Sequence, residues 1–203
     1  MKLAADFYRR EDVVAISREL LGKVLCTNID GCLTRAIITE TEAYAGVFDK
    51  ASHAYGDRRT KRTAPMYGPG GTAYVYLCYG IHHLFNVVTN EEGVPHAVLI
   101  RAGKPLDGLD WMRKRRTNLR HDKLLMAGPG TIAQALGIRT EVTGTDLCGK
   151  TIWVEDHGIE IDAKRVTVGP RVGVGYAAED ADRPYRFRVN LPADQARAQR
   201  VKS

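Results

Sequence analysis

The first hydrophobic positions of the chain recur at helical spacing. Val13, Ile16 and Leu20 are three or four residues apart, so they would line one face of a helix. The acidic residues just before them would lie at the N-terminal end of this helix, where its dipole favours negative charge. The pattern therefore predicts an amphipathic helix over about 11–22.

After this helix the chain changes to short apolar or alternating runs separated by glycine, asparagine and aspartate. Such runs predict β-strands joined by turns. The tightest predicted hairpin has its tip at Tyr79-Gly80, where nothing is available to bury the tyrosine, a position that suits an interaction surface. The predicted strands cover 23–28, 33–44, 73–79, 82–89, 96–102, 151–155 and 184–190, with a strand or loop at 171–177.

Two further helices and a long loop interrupt the strands. The segment after Pro105 predicts a helix with a basic end, and a glycine-containing entry predicts a short helix over 128–138. Residues 45–72 are rich in glycine and proline, and a loop of this length inside a compact domain is usually functional. We predict a single α+β domain over 1–190, with a largely antiparallel sheet, a protruding β-hairpin, flanking helices and a flexible tail at 191–203.

Composition is that of an ordinary globular protein. Hydrophobic residues make up 44% and charged residues 27% of the 203 positions, which excludes disordered and collagen-like classes. No apolar stretch reaches the roughly 18–20 residues of a membrane span, and the first ten residues contain no apolar run typical of a signal peptide. The four cysteines are scattered and lack zinc-site spacing, so we expect free thiols, no metal, no cofactor and a cytoplasmic location.

The net charge of the chain indicates a class of binding partner. Thirty Lys and Arg residues against 24 Asp and Glu residues give a net charge of +6, which favours a polyanionic partner. Much of the excess lies in two basic runs. One contains Arg58, Arg59, Lys61 and Arg62 in the long loop, and the other is 113–116. Each run alone is more typical of a solvated face, but two in one small domain favour contact with phosphates.

Alternation along the second predicted strand places Glu42 on one face with Ile38 and Tyr44. A carboxylate beside an aromatic ring at a strand end suits an acid or base, whereas a solvated strand face is the plainer alternative. His53, in the loop that follows, is similarly open to a structural or a chemical role.

Two polar side chains interrupt otherwise apolar strands. Asn86 shares a face with Leu84 and Val88, and an unpaired buried amide costs on the order of 1–3 kcal/mol. This asparagine therefore has a partner in the core or lines a polar pocket. Arg101 ends the apolar run at 97–100, so its charge requires a carboxylate or phosphate partner.

In combination, these segments resemble the alkyladenine (3-methyladenine) DNA glycosylase family. The resemblance rests on the segments ETEAY at 40–44, YVYLCYG at 74–80, LIRAG at 99–103, GP at 128–129 and RVGVG at 171–175, and on the spacing of His53 and Asn86. It extends from about residue 5 to 190, and the compact chain is similar to bacterial members.

The resemblance implies a monofunctional glycosylase that flips alkylated or deaminated purines out of duplex DNA and hydrolyses their N-glycosidic bond. In the matching positions, Glu42 is the general base and Arg101 is the arginine beside it. Asn86 crowds the exocyclic amine of guanine, and Tyr79 enters the minor groove where the base has left. The remaining matching positions are Tyr44, His53 and Tyr76 in the pocket walls and Val174 as a backbone position beside the water.

The family pattern is interrupted at His82-His83, just past the hairpin tip, where an aromatic residue is expected. The sequence leaves the effect of this departure on the pocket floor and on the range of damaged bases open. Two other functions are open: a non-catalytic DNA- or RNA-binding module, and a small-molecule hydrolase. Glu42 with Arg101 favours catalysis, and the basic runs with Tyr79 favour a polymeric substrate. We therefore expect a monomer that acts on double-stranded DNA containing damaged purines.

Overall fold

An antiparallel sheet organises the molecule, and the computed structural model describes residues 1–117 and 119–191. Within this part of the chain the strands are β1 Val24–Ile29, β2 Cys32–Ala45, β3 Ala73–Cys78, β4 His82–Thr89, β5 His96–Asp107, β6 Ile152–Glu155, β7 Val166–Gly169 and β8 Arg186–Val189. The main path of the sheet is β3-β4-β5-β2-β1-β6, and β8 pairs with both β2 and β7. The predicted antiparallel α+β fold is confirmed.

Over residues 1–117 and 119–191, four α-helices accompany the sheet, together with short 3-10 turns. They are α1 Ala5–Tyr8, α2 Val13–Glu19, α3 Leu109–Arg115 and α4 Pro129–Leu136. Helix α2 begins at its N-cap Asp12, whose side chain accepts hydrogen bonds from the N–H groups of Val14 and Ala15. The acidic start predicted for this helix is therefore a true cap, which satisfies two N–H groups that the helix leaves unpaired.

The main hydrophobic core lies between these helices and one face of the sheet. It contains residues of α2, α3 and α4 packed against β1, β2, β4 and β5, among them Ile16, Leu20, Met112, Ile132, Leu136, Leu25, Ile38, Phe85 and Val98. Because the helices cover this face, the groups available for chemistry lie on the opposite face of β2 to β5.

Strand β5 is longer than the sequence predicts. The pattern ended the strand at 102, but pairing with β2 continues through Pro105 to Asp107. Proline is tolerated because this half of β5 pairs only with β2, and a register shift lies beside it. The next helix therefore begins at Leu109 rather than near 106, after Gly108 in a left-handed conformation (φ 76°).

The structure also decides three assignments in the C-terminal part of the chain. The four-residue strand β7 was not predicted, and it is defined by its pairing with β8 rather than by a strong local pattern. Of the two alternatives for 171–177, strand or loop, the structure has the loop, which leads into the 3-10 turn Gly175–Asp182. Leu191, assigned to the tail, is buried in a small core with Leu21 and Val189; the rest of that predicted tail lies outside the described residues.

A bulge in β2 corrects the expected face of Glu42. Register shifts flank Glu40 in the pairing with β5, so one extra residue interrupts the alternation. Ile38 consequently belongs to the main core together with Ala43, and Glu42 faces the other way. The prediction that Ile38 and Glu42 share a face is wrong, because strict alternation does not anticipate the bulge.

Candidate active site

A cavity of about 510 Å³ opens on the face of the sheet that the helices leave free. Its walls come from β2 to β5, the long loop, the hairpin and the segment after β7. Most of the residues predicted from sequence line it, namely Tyr44, His53, Arg62, Tyr76, Tyr79, Asn86, Arg101 and Val174. The fold therefore brings to one place residues that are up to 130 positions apart in the chain.

Glu42 is fully buried beside this cavity, and both oxygens of its carboxylate have donors. Its Oε2 accepts a hydrogen bond of 2.8 Å from the Tyr44 hydroxyl. Its Oε1 accepts one of 2.8 Å from the Val172 N–H and lies 3.3 Å from Nη1 of Arg101. A carboxylate offers about four lone-pair sites, so these three contacts fix its orientation and leave capacity to bind a water molecule.

Arg101 has carboxylate partners within the protein. Besides Glu42, it contacts Glu40, whose Oε1 accepts a hydrogen bond of 3.0 Å from the Arg101 Nε. The three side chains form a largely buried group that spans β2 and β5. Of the two partners left open by the sequence, carboxylate or phosphate, the structure provides the carboxylate.

Aromatic rings form the next part of the cavity. His53 and Tyr76 meet edge to face, with centroids 4.6 Å apart, and His53 Nδ1 lies 2.9 Å from the Tyr74 hydroxyl. Burial, together with the charges of Arg62 and Arg58, lowers the pKa of His53 to about 4. The ring is therefore neutral at pH 7 and presents an uncharged aromatic surface.

Tyr74 was not among the predicted site residues. It is buried, and burial raises the pKa of its hydroxyl to about 12, so the hydroxyl remains protonated and able to hydrogen-bond His53. The sequence did contain a signal for Tyr74, namely its position two residues before Tyr76. Alternation places both rings on one face of β3.

The sequence leaves two possibilities open for Asn86, a hydrogen-bond partner in the core or a position in a polar pocket. The structure shows both. Its side-chain nitrogen donates to the carbonyl of Tyr74 at 3.1 Å, and the same side chain lines the cavity. The amide is therefore buried without an unpaired nitrogen, and its position is fixed relative to β3. The wall of the cavity therefore presents an amide whose position is fixed.

A buried ion pair that the sequence analysis missed supports the cavity from behind. Arg171 and Asp49 are both fully buried, with Arg171 Nη2 2.8 Å from Asp49 Oδ1. Arg171 also donates to the carbonyl of Ala43 at 2.9 Å, and its guanidinium carbon lies 4.9 Å from the centroid of the Tyr44 ring. These contacts join β2, the long loop and the segment beginning at Arg171, which carries Val172. The only local sequence signal for this ion pair was the arginine at the start of the glycine-rich segment RVGVG.

Val174 lines the cavity wall and packs with Ala51 and Ala177. The backbone N–H that reaches Glu42, however, belongs to Val172, two residues earlier. The segment thus contributes a side chain at one position and a hydrogen-bond donor at another.

Tyr79 lies at the mouth of the cavity, at the tip of the β3–β4 hairpin. Its side chain is 91% exposed, and Leu77 and Ile81 beside it are also exposed. Tyr79 and Gly80 both have left-handed backbone conformations, with φ of 50° and 72°. The tip predicted from sequence is confirmed as a tight turn that projects an aromatic side chain into solvent.

The basic run of the long loop is exposed at Arg58, Arg59, Lys61 and Arg62. Two of these arginines contact aromatic rings. The Arg59 guanidinium lies 4.0 Å from the centroid of the Tyr67 ring, and Arg62 contacts Tyr76 in the cavity. The run therefore borders the cavity, which suits contact with a substrate that enters there.

The other basic run, 113–116, is largely engaged within the fold. Arg113 pairs with Asp122, and Arg115 donates to the carbonyls of Ile29 and Ala135. Arg116 donates to the side chain of Gln134 at 2.7 Å. These contacts favour a structural role over a phosphate contact.

The unusual pair His82-His83 lies away from the described lining of the cavity. His83 Nδ1 accepts a hydrogen bond of 3.2 Å from the Thr140 N–H, and His82 packs beside Gly130 at the start of α4. The sequence leaves the effect of these residues on the pocket open, and in the structure both lie beside residues of α4.

No metal-binding cluster of three or more His, Cys, Asp or Glu side chains is found over 1–117 and 119–191. In the same part of the chain, no helix has the length and apolar character needed to cross a membrane.

Comparison with known proteins gives the class. A family model described as methylpurine-DNA glycosylase matches residues 6–192. The chain is 44% identical over 193 residues to a protein of Desulfitobacterium hafniense (strain Y51), covering 92% of this chain and 94% of the relative. It is 46% identical over 190 residues to a protein of Chlamydia felis (strain Fe/C-56), covering 93% and 96%. Both relatives bear the provisional name 3-methyladenine DNA glycosylase.

The matched range contains all eight strands and the whole described cavity, and it defines a DNA glycosylase, an enzyme of DNA repair that hydrolyses N-glycosidic bonds. More particularly, the chain belongs to the methylpurine-DNA glycosylase family. The resemblance stated from the sequence is thereby confirmed, and DNA is the substrate polymer.

Proposed function

We propose that this enzyme excises alkylated and deaminated purines from double-stranded DNA, with Glu42 as the general base. The class of substrate bases is that of 3-methyladenine, 7-methylguanine, hypoxanthine and ethenoadenine. The observation that carries the proposal is the buried Glu42 carboxylate, held by Tyr44 and Val172 at the edge of an aromatic cavity. The name shared by the relatives, 3-methyladenine DNA glycosylase, supports the same substrate class.

The first step is extrusion of the damaged nucleotide. Unstacking a base costs a few kcal/mol, and an inserted side chain offsets part of that cost. Tyr79 is suited to this role because it projects from a hairpin beside the cavity mouth. Arg58, Arg59, Lys61 and Arg62 are exposed cations in the loop next to the cavity, and we propose that they contact the phosphate backbone.

The extruded base then enters the aromatic cavity. Tyr44, His53 and Tyr76 supply ring surfaces for stacking, an interaction worth roughly 1–3 kcal/mol per base. Asn86 is anchored in the wall, and we propose that it crowds the exocyclic amine of an undamaged guanine. Val174 lines the same cavity, and we propose that its backbone helps to hold the attacking water.

In the chemical step a water molecule bound to Glu42 attacks C1′ of the sugar. The water oxygen bonds to C1′ while the C1′–N bond breaks, and the bonding electrons leave with the base. Glu42 accepts the proton from water, and the product is an abasic site. Arg101 orients the carboxylate, since it lies against both Glu42 and Glu40.

A direct test is incubation with a duplex containing one hypoxanthine or one alkylated adenine, followed by alkaline cleavage of abasic sites. We expect strand cleavage at the lesion with the parent protein and with Glu92→Gln, a variant of an exposed glutamate outside the cavity. Glu42→Gln is expected to bind the duplex and to produce abasic sites far more slowly than the parent. Binding of the lesion by the parent protein without any cleavage would instead indicate a non-catalytic DNA-binding module.

A further inference from the structure

The guanidinium of Arg62 occupies a position against the proposed base-stacking rings. Its central carbon lies 4.9 Å from the centroid of the Tyr76 ring, and its Nη2 lies 3.4 Å from Nε2 of His53. Arg62 also lines the cavity. The cation therefore lies over the face of Tyr76 and against the edge of His53, two of the rings proposed to receive the flipped base.

No carboxylate lies within salt-bridge distance of Arg62 among the residues that the structure describes, in contrast to Arg59, which is 3.2 Å from Asp57. The neighbours of Arg62 are instead the neutral His53 and the rings of Tyr74 and Tyr76. Its positive charge is therefore available to act on whatever enters the cavity.

The charge of the incoming base decides how it interacts with this arrangement. A cationic base, such as an N7-alkylated guanine, is attracted to an electron-rich ring. Arg62 competes for the same ring and repels the cation, and like charges close together in a partly desolvated site interact strongly. A neutral damaged base, such as hypoxanthine, experiences no such repulsion.

We propose that Arg62 is a specificity-determining residue that biases excision toward neutral damaged purines and against cationic ones. This inference rests on the proposed function, because it concerns which bases the same cavity accepts. This role is additional to the phosphate contact proposed above for Arg62. A phosphate contact affects binding of every duplex alike, since phosphates do not distinguish one lesion from another.

The test compares two lesions and three variants under single-turnover conditions with saturating enzyme. The duplexes differ only in carrying 7-methylguanine or hypoxanthine, and the measured quantity is the ratio of their excision rates. We expect Arg62→Gln to raise the ratio of cationic to neutral excision by about tenfold, the size of a moderate like-charge repulsion. Arg62→Lys retains the charge and is expected to retain most of the parent ratio.

Lys61→Gln is the matched control, because it removes a neighbouring exposed cation that does not line the cavity. Its ratio should equal that of the parent even where both rates fall. An unchanged ratio in Arg62→Gln, with both lesions excised by the parent, would overturn the inference and leave the proposed function intact. Failure of the parent to excise either lesion would contradict the proposed function itself.

A second measurement is independent of activity. The charge of Arg62 is one cause of the low pKa of His53, after burial, so the pKa of His53 should rise in Arg62→Gln and stay low in Arg62→Lys. Titration followed by NMR of the histidine ring gives this value. An unchanged pKa of His53 in Arg62→Gln would show that Arg62 does not rest in the cavity, and would overturn the inference.

Discussion

The two proposed working parts of this enzyme, the Glu42 site and the Tyr79 hairpin tip, are built in opposite ways. Glu42 is fully buried, and hydrogen bonds from two different segments fix both of its oxygens. Tyr79 is 91% exposed at the end of a two-stranded projection. One part is therefore organised before substrate arrives, and the other acquires most of its contacts only when DNA is bound.

The difference reflects what each part is proposed to do. A general base must lie within hydrogen-bond distance of the reacting water, and small displacements of such a group reduce the rate strongly. A wedge needs only a large, projecting side chain at the right end of the cavity. We therefore expect changes near Glu42 to affect chemistry or folding, and changes at Tyr79 to affect binding while leaving the fold intact.

Glu42→Gln should have the largest effect. Glutamine keeps the size of the side chain but cannot accept a proton at neutral pH, and general-base catalysis is typically worth 10²–10⁴-fold. The single-turnover rate of excision should fall by about that factor, with lesion-duplex affinity close to that of the parent. Full activity of this variant would show that Glu42 is not the general base.

Loss of the buried ion pair behind the cavity should lower the free energy of unfolding more than any change at the hairpin does. Arg171→Met leaves Asp49 buried without its partner, and breaking a buried pair in this way costs roughly 3–5 kcal/mol. The free energy of unfolding in urea is the measurement. Arg10→Met provides the control, since it removes one partner of the exposed Arg10–Glu19 pair, and exposed pairs contribute about 1 kcal/mol or less.

Tyr79→Ala should weaken binding of lesion-containing duplex by roughly 1–3 kcal/mol, the range of one stacking contact. Its unfolding midpoint should match that of the parent because the side chain contributes little to the core. A lesion in single-stranded DNA requires less extrusion, so it should partly restore excision by Tyr79→Ala and should not restore Glu42→Gln. Equal restoration of both variants would show that the two residues do not act at separate steps.

The smallest effect concerns the exposed loop cations. Replacing Arg58 and Arg59 by alanine should make the dependence of log K on log salt less steep, by about 0.9 for each phosphate contact removed. Arg113→Ala is the control, because the Arg113 guanidinium pairs with Asp122 in the fold. The measurement is binding of undamaged duplex over a series of salt concentrations. An unchanged slope in the loop variants would indicate that Arg58 and Arg59 lie on a solvated face and do not contact phosphates.

The amino-acid sequence by itself determined the features that depend on neighbouring residues. Helical spacing and an acidic cap located α2, and the Tyr79-Gly80 pair located the hairpin tip. The order of the motifs also indicated the family, and the cavity contains most of the residues that those motifs supplied. These features are local because capping, turn formation and periodicity operate over a few residues.

Only the tertiary structure decided the features that depend on distant partners. The bulge at Glu40 turned Glu42 away from Ile38, and the β7 strand exists through its pairing with β8. Asp49 and Arg171 lie 122 positions apart, yet their buried pair holds the segment that contributes the Val172 N–H to Glu42. No short-range pattern encodes such a contact, because its stability comes from desolvation and mutual pairing that arise only when the chain has folded.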